Sequence, residues 1–316
     1  MKRQLRAASI AVLLTAVIAA CSPKKEEAAA PVAEPAAPAA PVAATPVPES
    51  ADVKPFTIGS FQAAALRDGA LQTPNDNKIL ATNKKKSDVA DLLTANNLPA
   101  DPIDLSVQPL LVKTPDKVML FDTGAAALFG PTAGKLPASL ASAGVDPATV
   151  TDIFISHGHG DHVGGLVADN ALAFPNAAIH MQAAEWASLK GQGDMAALVA
   201  VITPKVVEFQ PDADIVPGVK AVDIKGHTPG HSGYLITSDG QSLLYIGDTM
   251  HHSVISVQQP DWTIAFDSDA PTAQASRKQV LEDAAASGQR VYAVHFPFPG
   301  IGKFEKLNEK YVWVPE

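Results

Sequence analysis

Six consecutive residues near the middle of the chain combine three histidines with one aspartate, in the order His157-Gly158-His159-Gly160-Asp161-His162. They directly follow residues 153–156, of which Ile153, Phe154 and Ile155 are apolar. Three imidazoles and a carboxylate beside an apolar strand are costly to bury unless something uses their lone pairs. Neutral imidazole and carboxylate are standard zinc ligands, and the two glycines permit a tight turn on which alternate side chains converge. The pattern predicts a divalent-metal site rather than a His-rich surface loop.

This segment resembles the HxHxDH motif of the metallo-beta-lactamase superfamily. Three later segments also resemble motifs of that family and occur in the same order: GHTPGHS at 226–232, YIGD at 245–248 and VYAVH at 291–295. The resemblance extends over nearly all of the chain from Phe56 onward. It implies an α/β (α+β) fold, the αββα sandwich of that superfamily, in which two sheets are packed between layers of helices.

The resemblance also implies seven metal ligands in two groups joined by a bridging carboxylate. The first group is His157, His159 and His227; the second is Asp161, His162 and His295; the bridge is Asp248. A pair of divalent ions can clamp the attacking and leaving oxygens of a reaction. The expected cofactors are therefore two divalent ions. Zinc is the expected metal, and manganese, cobalt and iron are the alternatives. The expected nucleophile is a metal-bridging hydroxide, with Asp161 passing a proton to the leaving alkoxide.

Within the superfamily, residues 122–132 and 248–269 resemble the branch of methyl parathion hydrolases and acyl-homoserine lactonases. That resemblance places Phe129 at the mouth of the substrate site and suggests Trp186 as a second aromatic wall. His251 occupies the place of a tyrosine that touches substrate oxygen, so it is a candidate catalytic and substrate-binding residue, or else merely exposed. The expected reaction is hydrolysis of an ester-like bond in a lactone, a phosphotriester or an aryl ester.

The other histidines have structural interpretations. His231 is expected to brace its loop, His180 to lie in the core, and His252 to face solvent or support the fold. Asp267 and Asp269 are expected to cap a helix or brace a loop rather than act as acid and base.

Three other functions remain as alternatives. A mononuclear-iron persulfide dioxygenase would leave Asp161 and His162 idle. A glyoxalase II-like thioesterase would carry a helical domain after the last histidine, and only 21 residues follow His295. A non-enzymatic binding lipoprotein with a vestigial site would have lost at least one of the seven ligands, and none is missing.

Short apolar runs predict strands at 56–58, 108–112, 118–121, 153–156, 178–180, 219–224, 243–246 and 291–294. Helices are predicted at 89–96, 137–143, 183–190 and 272–286. Thr114 to Lys117 has the composition of a turn, which predicts a hairpin between two of the strands. Strands that alternate with helices favour sheets covered by helical layers.

The first part of the chain predicts export. Basic residues precede an apolar run that ends before Cys21, which suggests a lipoprotein signal peptide over residues 1–20 and lipidation of Cys21. Residues 21–54 are rich in Ala and Pro and are expected to form a disordered tether, followed by a catalytic domain over 55–316. The expected location is the periplasm or outer membrane, with the lipid holding the chain on the membrane.

Composition limits the partners. Residues 51–316 carry 29 acidic and 19 basic side chains, and so negative a surface repels phosphate backbones. A small-molecule substrate is therefore expected, and nucleic acid is not. Cys21 is the only cysteine, so the catalytic domain has neither an internal disulfide nor a thiolate ligand. Hydrolases of the resembling branch are often dimers, which leaves a homodimer as an open expectation.

Overall fold

The computed structural model describes residues 44–316. In chain order its strands are β1 Val53–Ile58, β2 Phe61–Leu66, β3 Gly69–Thr73, β4 Ile103–Val107, β5 Leu110–Lys113, β6 Val118–Phe121, β7 Asp152–Phe154, β8 Val167–Ala168, β9 Ala171–Leu172, β10 Ala178–Gln182, β11 Val206–Phe209, β12 Asp214–Val216, β13 Val219–Asp223, β14 Ser232–Ser238, β15 Gln241–Tyr245, β16 Arg290–Tyr292, β17 Ile301–Leu307 and β18 Lys310–Pro315. The α-helices are α1 Lys86–Ala95, α2 Leu136–Ser142, α3 Gly160–Val163, α4 Ala183–Lys190, α5 Ala196–Ile202, α6 Ile255–Gln258 and α7 Ala270–Ser287.

Fourteen of these strands form two seven-stranded sheets. The first has the order β1-β2-β5-β6-β7-β10-β11, and the second is β12 to β18 in sequence order. The first is antiparallel up to β6 and parallel from β6 to β11. The second is antiparallel except for the parallel pair β15 and β16. The predicted hairpin joins β5 to β6, where the Thr114 N–H donates to the Lys117 carbonyl.

The buried side chains show how the layers are stacked. One apolar cluster lies between the two sheets and includes Phe121 and Phe154 from the first and Tyr234 and Tyr245 from the second. A second cluster packs the other face of the first sheet against α2, α4 and α5. A third joins the outer face of the second sheet to α7, through Leu281 among others. This order of layers is the αββα sandwich that the sequence predicts.

The folded domain begins earlier than the predicted residue 55. Strand β1 starts at Val53, whose side chain is buried, and Val47 is buried in the same apolar cluster as Leu136 and Leu140 of α2. Residues 47–54 are therefore part of the domain and not of the predicted tether, because their valines fill space in the first sheet's apolar cluster. The predicted signal peptide, Cys21 and the tether up to residue 43 lie outside the described residues. Within residues 44–316, no helix has both the length and the apolar content required to cross a bilayer.

A buried carboxylate stabilises the start of the central strand β7. Asp152 accepts hydrogen bonds from His180 Nε2 at 2.9 Å, Lys117 Nζ at 2.8 Å and Thr151 Oγ1 at 2.7 Å. Burial raises the pKa of Asp152, but these three bonds outweigh burial and hold the pKa well below its ordinary value. His180 is thus the core histidine that the sequence predicts, stacked on Phe154 with 4.9 Å between ring centroids.

Replacement of this carboxylate should change the free energy of unfolding by an amount that depends on pH. A depressed pKa in the folded state stabilises the protein above the unfolded-state pKa, near 4, and this stabilisation is lost as the pH falls toward the folded-state pKa. We expect Asp152→Asn to lower the free energy of unfolding by about 1–3 kcal/mol at neutral pH. Urea denaturation should show the difference shrinking as the pH falls below about 4. The exposed control Asp91→Asn should stay within about 0.5 kcal/mol of the parent chain, and a pH-independent loss in Asp152→Asn would contradict the assignment.

Candidate metal centre

The predicted ligands follow strands of both sheets at one edge of the sandwich. The HGHGDH segment begins three residues after β7 ends and continues into the short helix α3. Asp248 lies in a 3-10 turn after β15, and His295 follows β16. His227 lies in the loop between β13 and β14. The parallel neighbours β6 and β7, and β15 and β16, end at this edge, which is where side chains beyond strand ends can converge.

The first predicted group forms a compact cluster of four donor atoms. His157 Nε2 lies 2.9 Å from His159 Nδ1 and 3.2 Å from His227 Nε2, and the last two atoms are 3.1 Å apart. Asp248 Oδ2 lies 3.6 Å from His157 Nε2 and 3.4 Å from His227 Nε2. Donors held at zinc-bond length in a tetrahedron are separated by about 3.3–3.4 Å. The four atoms therefore have the spacing that one tetrahedral ion requires.

The second predicted group lies on the other side of the same carboxylate. Asp248 Oδ1 is 3.1 Å from His162 Nε2 and 3.0 Å from His295 Nε2. Asp161 Oδ2 is 3.6 Å from His162 Nε2 and 3.5 Å from His295 Nε2. Asp248 thus turns one oxygen toward each group. All seven predicted ligands are brought together, and each group of histidines and aspartates could hold a metal ion.

Hydrogen bonds on the far side of each ring orient the histidines toward the centre. His162 Nδ1–H donates to Asp122 at 2.6 Å, His227 Nδ1–H to Asp267 at 3.0 Å, and His295 Nδ1–H to the Ser106 carbonyl at 2.7 Å. The Ser156 hydroxyl donates to Asp122 at 2.7 Å, so it accepts from His157 Nδ1–H at 3.1 Å. In their neutral forms all four rings therefore present an unprotonated Nε2 to the centre. Such partners are typical of histidines that bind metal.

The electrostatics of the two groups call for positive charge. Burial lowers the pKa of His162, but the carboxylates of Asp248, Asp161 and Asp122 outweigh burial and raise it well above its ordinary value. In the first group, burial lowers the pKa of His157 well below its ordinary value and that of His227 to about 3. The first group thus offers neutral imidazoles, and the second attracts a cation strongly.

Divalent metal fits the residues that are present. Among residues 44–316, the buried atoms His162 Nε2 and Asp248 Oδ1 have no hydrogen-bond partner. Lone pairs that converge without donors are unfavourable in a buried site, and a cation between them removes that cost. Five imidazoles and two carboxylates form a donor set that suits zinc and disfavours magnesium, which prefers oxygen ligands.

His251 also faces the centre. Its side chain is buried, and its Nε2 lies 3.1 Å from Asp248 Oδ2. Its ring is stacked on that of His295 at 5.5 Å, and neither ring nitrogen has a hydrogen-bond partner in the described part of the chain. The structure therefore places His251 against the candidate site and not on the exposed surface. His252 next to it turns away, and its Nδ1 accepts the N–H groups of Val254 and Ile255 at the start of α6.

The aromatic residues around the site differ from the prediction. Trp186 is not a wall of the site: its side chain is buried in the apolar cluster beneath the first sheet, because α4 turns this face toward the core. Phe129 lies in the 3-10 turn Ala126–Thr132, but its side chain lies outside those that the structure describes, so its role stays a prediction. The exposed Phe266, which sequence reasoning missed, packs edge-on to His159 at 6.2 Å and beside His251 at 6.3 Å.

Leu128 adds a second apolar side chain near the histidine loop. It is exposed, and a Cβ atom placed on Gly160 would lie 2.9 Å from its terminal carbon. The turn that carries Leu128 is held by Asp68, a buried carboxylate that accepts the N–H groups of Ala125 at 2.9 Å and Gly134 at 3.2 Å. Leu128 and Phe266 thus form an apolar rim beside the polar centre.

Three residues that support the ligands can be compared with their predicted roles. His231 braces its loop as predicted, since its Nδ1–H donates to the Ile224 carbonyl and its Nε2 accepts the Asp248 N–H. Asp267 does brace a loop, and it also orients His227 while accepting a bond from the buried Arg277 at 3.0 Å. Asp122 was missed as a partner of His162; its position directly after an apolar strand, like that of the HGHGDH segment, could have indicated it.

Comparison with known proteins agrees with this geometry. The sequence profile of the metallo-beta-lactamase superfamily matches residues 103–292. An N-acyl homoserine lactonase from a Bacillus species is 31% identical over 173 residues, which cover 47% of this chain and 66% of that protein. An N-acyl homoserine lactonase from Bacillus cereus is 29% identical over 184 residues, which cover 51% of this chain and 68% of that protein. The chain thus matches about two thirds of the length of each relative.

Two solved structures are similar over most of the chain. AidC, a dizinc quorum-quenching lactonase in complex with a product, has a TM-score of 0.79 and 30% identity, covering 84% of this chain and 97% of that one. The hydrolase AbOPH has a TM-score of 0.78 and 27% identity, covering 85% and 98%. The lactonase relatives identify the chain as an enzyme, a metal-dependent hydrolase. With the profile match over more than half of its length and the αββα layers, the chain belongs to the metallo-beta-lactamase superfamily.

Proposed function

We propose that this chain hydrolyses the ester bond of a lactone with an apolar acyl chain. It would use two divalent ions, with zinc as the preferred metal. The observation that carries the proposal is the orientation of the Asp248 carboxylate. Its Oδ1 faces the second group and its Oδ2 faces the first. Relatives named N-acyl homoserine lactonases support the substrate class. The apolar rim of Leu128 and Phe266 favours a substrate with an acyl chain, because a flexible apolar tail gains free energy when it is buried away from water.

The seven ligands have distinct tasks in this proposal. His157, His159 and His227 would hold one ion, Asp161, His162 and His295 the other, and Asp248 both. When bound, such a pair lowers the pKa of water and polarises a substrate oxygen. Asp161 is the most exposed ligand of the second group, so its carboxylate would take up the proton of the attacking hydroxide and pass it to the leaving alkoxide.

A substrate panel tests the reaction class. Purified protein with measured metal content is assayed with hexanoyl and decanoyl homoserine lactones, a paraoxon-like triester and a p-nitrophenyl ester. We expect the largest kcat/KM for a lactone and two zinc ions per chain. A preference for the triester would overturn the lactone assignment, and one iron per chain with no ester hydrolysis would favour the persulfide dioxygenase alternative.

His251 is proposed to donate a hydrogen bond to the substrate oxygen, because its ring nitrogens are buried at the centre without a partner. We expect His251→Phe to lower kcat/KM about 10²-fold, the cost of a lost donor to developing negative charge, with most of the loss in kcat. Zinc content should be unchanged. His180→Phe, a buried histidine in the core away from the centre, is the control and should retain kcat. Loss of zinc in His251→Phe would instead make His251 a ligand.

Export and anchoring complete the proposal. Residues 1–20 would be removed as a signal peptide, Cys21 would be acylated, and residues 21–43 would form a tether. The domain would act in the periplasm, held at the outer membrane, alone or as a homodimer. The supporting observation is the basic and apolar start that ends at the single cysteine. Incorporation of labelled palmitate by the full chain but not by Cys21→Ser would support the anchor, and equal labelling would refute it.

A further inference from the structure

Glu185 on α4 connects the two loops that carry the first group of histidines. Its side chain is buried, with 1% of the residue exposed. Oε1 accepts the Gly158 N–H at 2.8 Å, and Oε2 accepts the Thr228 hydroxyl at 2.7 Å and the Gly230 N–H at 2.9 Å. One carboxylate therefore binds both the HGHGDH loop and the loop between β13 and β14.

The contacts fall beside all three histidines of the first group. Gly158 lies between His157 and His159, and Thr228 directly follows His227. The approach is close, because a Cβ atom on Gly230 would lie 2.3 Å from the Glu185 backbone nitrogen. The loop between β13 and β14 can approach Glu185 this closely only with glycine at that position. The distances among the three histidine nitrogens thus depend on one side chain from another element.

The charge of Glu185 is a second link to the site. None of the ion pairs formed within residues 44–316 includes it, so its partners are neutral donors. A buried carboxylate without a cationic partner is unfavourable. A metal ion held by the neighbouring histidines would reduce that cost, and the same charge would in turn increase the affinity for the ion.

We propose that Glu185 is a positioning residue that sets the metal affinity of the His157, His159 and His227 group and leaves that of the second group unchanged. The inference rests on the metal assignment of the proposed function. Its reach is limited to one group because its hydrogen bonds end at Gly158, Thr228 and Gly230, beside the first group's histidines. None of the hydrogen bonds described joins it to α3, which carries Asp161 and His162, or to the segment that carries His295.

The test measures zinc binding to metal-free protein by competition with a chromogenic chelator. Glu185→Gln keeps the side-chain volume but replaces one accepting oxygen by an NH₂ group. That NH₂ group then faces at least one N–H or O–H donor. We expect one of the two binding steps to weaken 10–100-fold, as for other groups that orient ligands, and the other to stay within about twofold, well below that range. His227→Ala and His295→Ala identify which step belongs to which group.

Two variants separate positioning from general destabilisation. Thr228→Val removes one of the three donors and should weaken the same step by about two- to tenfold, the range of a single hydrogen bond. It also serves if Glu185→Gln does not fold. Asp152→Asn is the matched control, because Asp152 is another buried carboxylate with three partners. It lies at the start of β7, at the end away from the HGHGDH loop, so its replacement should change thermal stability but neither zinc step.

The outcomes are distinct. Weakening of the His227 step alone supports the proposal, whereas equal weakening of both steps, or a loss of stability with unchanged zinc affinities, overturns it. If the parent chain binds two zinc ions but hydrolyses no ester, the proposed function fails. The Glu185 proposal then stands or falls on the binding steps alone.

Discussion

Asp248→Asn should lower kcat/KM by at least about 10³-fold, since each metal ion of such a site supplies several kcal/mol to the transition state. The amide retains one carbonyl oxygen for one group but turns an NH₂ toward the other, where His162 and His295 approach to 3.1 and 3.0 Å. We therefore expect zinc content to fall below two ions per chain, measured by elemental analysis beside the lactone assay.

Asp267→Asn offers a comparison of intermediate effect. It alters a carboxylate that touches one histidine, His227, rather than both groups. Loss of a residue that orients a ligand costs about 10–100-fold, less than the loss expected at Asp248. An Asp248→Asn protein with two zinc ions and parental activity would refute the bridging role.

Removal of metal should abolish hydrolysis altogether. Dialysis against a chelator is expected to leave no measurable lactone hydrolysis, and zinc should restore it while magnesium should not, because five of the seven donors are imidazoles. Thermal unfolding should also shift. Zinc at a thousand times its dissociation constant contributes about 4 kcal/mol, which for a domain of this size corresponds to roughly 10 °C.

His157→Ala is the genetic counterpart of this experiment. It removes one ligand from the first group and should lose activity that zinc cannot restore. Full activity in the presence of chelator, or in His157→Ala, would remove the basis of the proposed function.

The metal centre could be predicted from the sequence because its ligands occupy short motifs, each at the end of an apolar strand. All seven predicted ligands meet within the two clusters. The residues that support them could not be predicted in the same way. Glu185 lies 27 residues from Gly158 and 45 from Gly230, and nothing local distinguishes it from a solvated acidic residue on a helix.

Helix faces were the weakest part of the sequence analysis. In α7, the sequence suggests a buried face made of Ala275, Val280, Leu281 and Ala284. The structure buries Leu281 and Ala284 of these, together with Ala273 and Arg277. A buried arginine breaks the apolar pattern, because Arg277 is satisfied by carbonyls and Asp267 rather than by solvent. Trp186 was assigned to the site for a related reason: an aromatic residue on a helix carries no sign of which neighbour it will pack on.

Strands rich in alanine were missed. Strand β2, Phe61–Leu66, contains three alanines in a row and pairs with both β1 and β5. Alanine has little intrinsic preference for strands, so the run has no recognisable β pattern. It is tertiary packing that decides its conformation: Ala63 and Ala65 lie in the buried cluster between the sheets with Val112 of the neighbouring β5 and Phe121 of β6.

The ligands come from both halves of the sandwich. Four ligands of the HGHGDH segment follow the first sheet, while His227, Asp248 and His295 belong to loops of the second. A bound pair of ions would therefore act as a staple between the halves. Amide hydrogen exchange in β7 and β15 should then slow together when zinc is added, and the chain should become a better protease substrate wherever free zinc is scarce.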